Sequence, residues 1–355
     1  MQSAPLQSED AHSLPSPLVL LIGRGASITS NGAYEAFPEV KISMENAVMS
    51  IVSSKTSALY PLRISSISLN QSISLDGSVT IAVFYSTKRK FHHLSIFNVN
   101  TISKTSPETH VVTPATYRGP ITHSAYHSSL LIALSSTFQV DIYQVSTNNF
   151  KPTLVRTMSS FTSFPPSSLT VCRPSPLLHK VLLSYAVPIY PAHWSVATTE
   201  LQVDDGADIL SSRTLRAFQQ EWQTTIEESS KSTPPRTGAS KMPGIVSVQS
   251  DGRYLVVAPR NENYMELYRL RQNSLVLVRI LFGPVRPICA LAVADARCIS
   301  ISLDGALWVH DLDQGWGVEV QDKVDGVDVE NTRLYFDDRR IVVTTPTHLR
   351  TISFD

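Results

Sequence analysis

Apolar and polar residues alternate along most of the chain in short runs, divided by clusters rich in Ser, Asn, Pro and Asp-Gly. A period of two predicts β-strands, and the longer period of an amphipathic helix is nearly absent. Within the runs a tetrad recurs, in which two apolar residues enclose a ring or polar residue and a polar one. It occurs as Leu59-Tyr-Pro-Leu62, Ile96-Phe-Asn-Val99, Ile142-Tyr-Gln-Val145, Leu267-Tyr-Arg-Leu270 and Val309-His-Asp-Leu312. Weaker members are Glu200-Leu-Gln-Val203 and Ile352-Ser-Phe-Asp355. An apolar run precedes most of them, as at Thr80 to Phe84, Leu130 to Leu134 and Tyr254 to Ala258. Asp-Gly pairs at Asp76, Asp251 and Asp304 suit tight turns, because Gly accepts positive φ and Asp bonds to nearby backbone N–H groups.

Successive tetrads end 37 to 67 residues apart, which fits units of one four-stranded sheet. One such sheet cannot bury both faces, so neighbours must stack and the stack must close into a ring. Seven tetrads predict an all-β, seven-bladed β-propeller over residues 18–355. The apolar segment at Leu18 to Ile22 is expected to complete the last blade and fasten the ring. A six-bladed ring with the first 60 residues packed outside it is the alternative. The first 17 residues read as a disordered tail. A polar insertion is expected at about 204–243, where Ser, Thr, Pro and Gly cluster. Inside it Leu215, Phe218, Trp222 and Ile226 follow the spacing of a short amphipathic helix. Trp222 then either packs on a neighbouring blade or helps bind a partner.

Charge narrows the partners. Thirty Lys and Arg balance thirty Asp and Glu, so no broad phosphate-binding face is expected and nucleic acid is not the main partner. Three scattered cysteines, Cys172, Cys289 and Cys298, make neither a disulfide framework nor a zinc site and read as small buried hydrophobes. Glu9 and Asp10 precede a short apolar run, which is not the form of a signal peptide. No stretch reaches the ~18 apolar residues that span a membrane. The expected setting is cytoplasmic or nuclear.

Catalytic templates fail one by one. There is no G-x-S-x-G elbow, and Gly23-Arg-Gly-Ala-Ser27 lacks the third glycine and the following helix of a dinucleotide site. His123 and His127 stand four apart, but in a strand or turn context without a following Glu. Asp204-Asp205 and Asp337-Asp338 sit in turns, where carboxylates usually satisfy backbone donors. The chain reads as non-catalytic, with no cofactor and no metal.

The segment Ile299 to Leu312 resembles the closing half of a WD repeat, with Asp304 in the turn, Asp311 at the closing Asp and His310 in place of Trp. The usual Gly-His dipeptide is replaced by Gly283-Pro284. Phe161 to Leu169, Val181 to Val196 and Cys289 to Arg297 are similar to the propeller region of fungal F-box proteins, a resemblance running from about residue 38 onward. That family implies a client receptor of a cullin–RING ubiquitin ligase, in which a helical F-box docks the adaptor and the propeller presents the client. The first 37 residues show no F-box pattern. The leading function is therefore a protein-interaction scaffold whose partner is a protein or ubiquitylation client. A cullin–RING adaptor joins the partners if an F-box lies upstream, and a propeller enzyme or small-ligand protein with a channel site is the alternative. Candidate contact residues are Trp316 between two glycines, Trp194 and His193, Arg260 beside Asn261, and Trp222.

Overall fold

The computed structural model describes residues 19–21, 40–45, 48–53, 63–72, 78–86, 92–100, 108–112, 119–159, 166–189, 193–217, 245–320, 323–329, 332–336, 340–345 and 349–353. Strands β1 (Val19–Leu21), β2 (Val40–Glu45) and β3 (Val48–Ser53) form one sheet in the order β1-β3-β2, with β1 parallel to β3. From Arg63 onward every sheet is an antiparallel meander of consecutive strands.

Blade one comprises β4 (Arg63–Leu69), β5 (Ser78–Ser86), β6 (His92–Asn100) and β7 (Glu108–Val112). Blade two comprises β8 (Ile121–His127), β9 (Leu130–Ser135), β10 (Gln139–Val145) and β11 (Pro152–Ser159). Blade three comprises β12 (Ser168–Ser175), β13 (Leu178–Ile189), β14 (His193–Asp204) and β15 (Ile209–Arg216). Blade four comprises β16 (Ile245–Ser250), β17 (Tyr254–Pro259), β18 (Tyr264–Leu270) and β19 (Leu275–Phe282). Blade five comprises β20 (Ile288–Ala294), β21 (Arg297–Ser302), β22 (Leu307–Asp311) and β23 (Gly317–Val320). Among the described residues blade six has three strands, β24 (Arg333–Phe336), β25 (Arg340–Thr344) and β26 (Leu349–Ser353).

The protein is thus a six-bladed propeller, and the seven-bladed count is corrected. Five tetrads fall on the third strands of blades one to five, the fifth ending just past β22, and the sixth begins on β26 with its last two residues outside the described ones. The seventh, Leu59 to Leu62, lies outside the described residues. It contains Pro61, which has no N–H to donate and so suits a central strand poorly. The sheet preceding blade one is no meander either. Its β1 pairs with β3 rather than with β26, so the expected fastening of the last blade by the N-terminal strand is also corrected.

The second strands of blades two and four are apolar almost throughout because neighbouring blades cover both of their faces. In β9, Leu130, Ile132 and Leu134 face blade three, joining Val171, Val181 and Leu201, while Leu131 and Ala133 face blade one with Phe84 and Leu94. β17 repeats the arrangement: Tyr254, Val256 and Ala258 turn to blade five, and Leu255 and Val257 turn to blade three. A strand side chain alternates in direction at each residue. Successive apolar residues therefore enter two different cores.

Blades are also linked by side chains, mostly at the end of the ring that carries the first and third turns of each blade. Asn70 Oδ1 accepts the Ser128 N–H at 2.7 Å, Asp251 Oδ2 accepts the Ala296 N–H at 3.0 Å, and Tyr254 donates its hydroxyl to Asp313 at 2.6 Å. Asp251 holds its own turn as well, accepting from the N–H groups of Arg253 and Tyr254. The Asp304-Gly305 pair looks the same in sequence but occupies the second turn of blade five, at the opposite end. There Ser302 Oγ donates to Asp304, and Gly305 has φ of 80°. A Cβ at Gly305 would meet the Val324 carbonyl oxygen at 2.0 Å.

Between blades two and three the rings of His127 and His179 meet edge to face, 5.9 Å apart. His179 is fully buried, and among the described residues neither of its nitrogens has a hydrogen bond. Asp205 approaches Nδ1 at 3.6 Å and pairs with Arg173 at 3.1 Å. Burial, assisted by the Arg173 charge, holds both imidazoles below their usual range, against the pull of Asp205 on His179. The folded chain binds these protons less readily than the unfolded chain. Their contribution to stability is full above about pH 6.5 and is lost as pH falls through the lowered values. The thermal midpoint is expected to drop between about pH 7 and about pH 5, with a smaller drop in His179→Leu. An identical drop in that variant would remove His179 from the account.

Candidate interaction surface

The expected contact residues do not gather at one place. Trp316 lies in the third turn of blade five, 50% exposed, with Nε1 donating to Gln314 Oε1 at 2.9 Å. Its turn is pinned rather than loose. Asp311 accepts the Gln314 N–H at 2.7 Å, and Arg279 donates to the Gln314 carbonyl at 2.8 Å. Gly315, at φ of 81°, leaves room for the Arg279 guanidinium that a Cβ would strike. Arg260 is exposed in the second turn of blade four, at the other end of the ring, beside Asn261 with φ of 67°. His193 and Trp194 open β14, paired with Ile189 and Pro188, so they stand on a strand and not in a loop. Trp222 lies outside the described residues, as do Phe218 and Ile226. Leu215, assigned with them to a helix, is a buried residue of β15.

A surface without any motif of its own lies on blade four, whose Arg279 reaches the Trp316 turn. Strand β19 reads Leu-Val-Leu-Val-Arg-Ile-Leu-Phe. Among the described residues it pairs along its length with β18 alone, apart from one bridge between Leu275 and Ala217, so from Val276 onward the other side presents N–H and C=O groups that no described strand takes up. A bulge leaves Val278 without a cross-strand partner between Leu277 and Arg279, and an inserted residue reverses the facing of the rest of the strand. Leu275 therefore enters the core with blade three and Leu281 the core with blade five. Val276, Leu277, Val278, Ile280 and Phe282 remain exposed, Phe282 by 69%. Val285 extends the apolar surface beyond the strand, and Val318 extends it beside Trp316. The sequence does carry a signal for it, since a run directly after a third-strand tetrad must be an outer strand. An outer strand that is apolar at nearly every position cannot bury them all.

Polar sites are chemically quiet. A pocket of about 270 Å³ between blades one and two is lined by Asn70, Ser78, Tyr126, Ser128, Ser146 and Phe150 among others. Among the described residues no group of three or more His, Cys, Asp or Glu side chains could hold a metal ion. Burial pushes the Cys289 thiol up to about 12 and raises Cys172 and Cys298 as well, so none is a ready thiolate. His310 is buried, stacks on Trp308 at 6.0 Å and reaches the Phe282 carbonyl at 3.3 Å. It closes blade five against the end of β19. Among the described residues no helix is long and apolar enough to cross a membrane.

Comparison with known proteins finds no match among curated sequences. Among solved structures the chain is similar to the computationally designed Ika8 protein, at 12% identity and a TM-score of 0.42 over 82% of this chain and 71% of that one. It is also similar to Saccharomyces cerevisiae Sqt1, at 9% identity and a TM-score of 0.45 over 82% of each chain. A family model described as the F-box protein pof12 beta-propeller matches residues 37–346, and the chain belongs to that family.

Proposed function

We propose that this propeller is a non-catalytic protein-interaction scaffold that presents a client to a cullin–RING ubiquitin ligase. The observation that carries the reading is the exposed apolar edge of β19, with Trp316 exposed on the next blade, on an F-box-family propeller. An exposed apolar strand edge on a rigid frame suits a protein partner better than a small polar ligand. Membership of the ligase requires an F-box joined to the propeller, which would bind the adaptor. The cytoplasm or nucleus is the proposed setting.

Affinity capture of the tagged full chain from its own cells, with and without proteasome inhibition, tests this. The expected result is recovery of a cullin, its adaptor and a protein that accumulates under inhibition. A stable partner set without ligase subunits, unchanged by inhibition, would overturn the ligase role and leave the scaffold.

A further inference from the structure

Blade four is lopsided in charge. Residues 245–288 carry Arg253, Arg260, Arg269, Arg271, Arg279 and Arg286 against Asp251, Glu262 and Glu266, in a chain whose formal net charge is zero. Two of the arginines are engaged: Arg253 pairs with Asp313 at 2.9 Å and Arg279 binds the Gln314 carbonyl. Asp251 is spent on backbone N–H groups. Glu266 is buried behind β19, where burial raises its carboxyl toward the neutral form despite the hydrogen bond from Tyr268. Arg260, Arg269, Arg271 and Arg286 are exposed and form no ion pair among the described residues.

Their placement tracks β19. Arg269 is the cross-strand partner of Val276, and Arg271 opens the turn that leads into the strand, bonded through its N–H to the Ser274 carbonyl. Arg286 lies just past the far end, and Arg260 stands in the turn before Tyr264, the partner of Phe282. An apolar strand edge thus has an excess of positive charge at both ends, Arg269 and Arg271 at one and Arg260 and Arg286 against the exposed Glu262 at the other, roughly 25 Å apart at about 3.3 Å per residue.

We infer that β19 accepts an extended segment of a protein partner, apolar in the middle and acidic at both ends, as a fifth strand of blade four. The unpaired backbone edge supplies main-chain hydrogen bonds, the exposed side chains supply apolar contact, and the flanking arginines select the ends. This inference rests on the scaffold reading, since it names the kind of partner the rim takes.

The test uses purified full chain and a labelled peptide of about ten residues, with a Val-Thr-Val-Tyr-Val-Thr core between Asp-Glu ends, monitored by fluorescence anisotropy. Saturable binding is expected, weakening with salt. Lys-ended peptide, or the triple variant Arg269→Glu, Arg271→Glu, Arg286→Glu, should bind about tenfold more weakly or less. A peptide N-methylated at alternate core residues should not bind, because it lacks the N–H groups of an added strand. An unchanged thermal midpoint in the triple variant confirms that it is folded. Absence of binding, equal binding of the N-methylated peptide, or indifference to end charge would each overturn the inference. So would a dimer in sedimentation that Val278→Lys abolishes, since a second copy would then own the edge. Cellular capture fails separately: ligase subunits recovered with a chain that ignores the peptide would reject the strand addition and keep the scaffold.

Discussion

Phe84→Ala is expected to destabilise the protein by about 3–5 kcal/mol, the usual cost of emptying a buried phenylalanine site. Phe84 is 1% exposed and sits in β5, where it enters the core shared by blades one and two. Its ring lies 6.5 Å from Tyr143, tilted by 54°, and Leu94, Ile96, Ile121, Leu131 and Ala133 complete the surroundings. Strands on both sides hold these neighbours in register, so the space cannot collapse around a methyl group. Urea denaturation read by tryptophan fluorescence would show the shift in midpoint. Since the stability of a domain is about 5–15 kcal/mol in total, such a loss is readily measured. A shift under about 1 kcal/mol would mean that blade one does not unfold together with the rest.

A loss of about 2–3 kcal/mol is expected for Glu200→Gln, for reasons of charge. Glu200 lies in β14 and is 2% exposed, with Arg213 at 2.8 Å and Lys180 at 3.2 Å. Burial alone would raise its carboxyl, but the hydrogen bond from Arg213 and the charge of Lys180 outweigh it and hold the group below the usual carboxylate range. Both cations also reach into blade four: Lys180 donates to the Gly252 carbonyl at 3.3 Å, and Arg213 donates to the Gln272 carbonyl. One carboxylate therefore steadies two links between blades. Removing its charge leaves two cations facing each other. Breaking a fully buried pair costs ~3–5 kcal/mol, and the smaller figure applies because Arg213 and Lys180 keep 39% and 20% of their side-chain surface in water. The contribution of Glu200 is full above about pH 4.3 and fades as pH falls through its depressed value. The gap between wild type and variant should therefore close in acid. A constant gap down to about pH 3 would locate the loss in packing instead of charge.

How much of the fold is legible in the sequence depends on where each residue sits in a blade. Second and third strands are covered on both faces, and their demand for apolar side chains leaves the tetrads and the runs Leu130 to Leu134 and Tyr254 to Ala258 plainly visible. First and fourth strands have an open edge and tolerate Ser, Thr and Arg, so β15, with Ser211, Ser212 and Arg213, passes for part of a polar insertion. The blade count errs through Leu59 to Leu62, whose apolar spacing fits although Pro61 does not. Exposure is harder to read than strand identity. Trp316 is exposed, yet its glycine neighbours serve a turn held by Asp311 and Arg279 and do not loosen it. His193 and Trp194 sit next to Pro191 and Ala192 in a stretch that reads as loop, but the long hairpin of β13 and β14 extends to include them. The apolar edge at β19 escapes notice because the same residues would suit a buried strand, and only its position after a third strand distinguishes the two.

The gathering of side-chain links at one end of the ring bears on how such a chain can vary over time. A residue such as Asn70, Asp251 or Tyr254 serves its own turn or strand and also a neighbouring blade, so a change there is felt twice. Turns at the opposite end carry fewer side-chain links; the one bearing Arg260 meets the next blade through a main-chain bond, the Ile288 N–H to the Glu262 carbonyl, which asks nothing of the side chains. Lengthened or shortened loops should accordingly collect at that end among relatives, where the frame can absorb them without loosening the joints between blades.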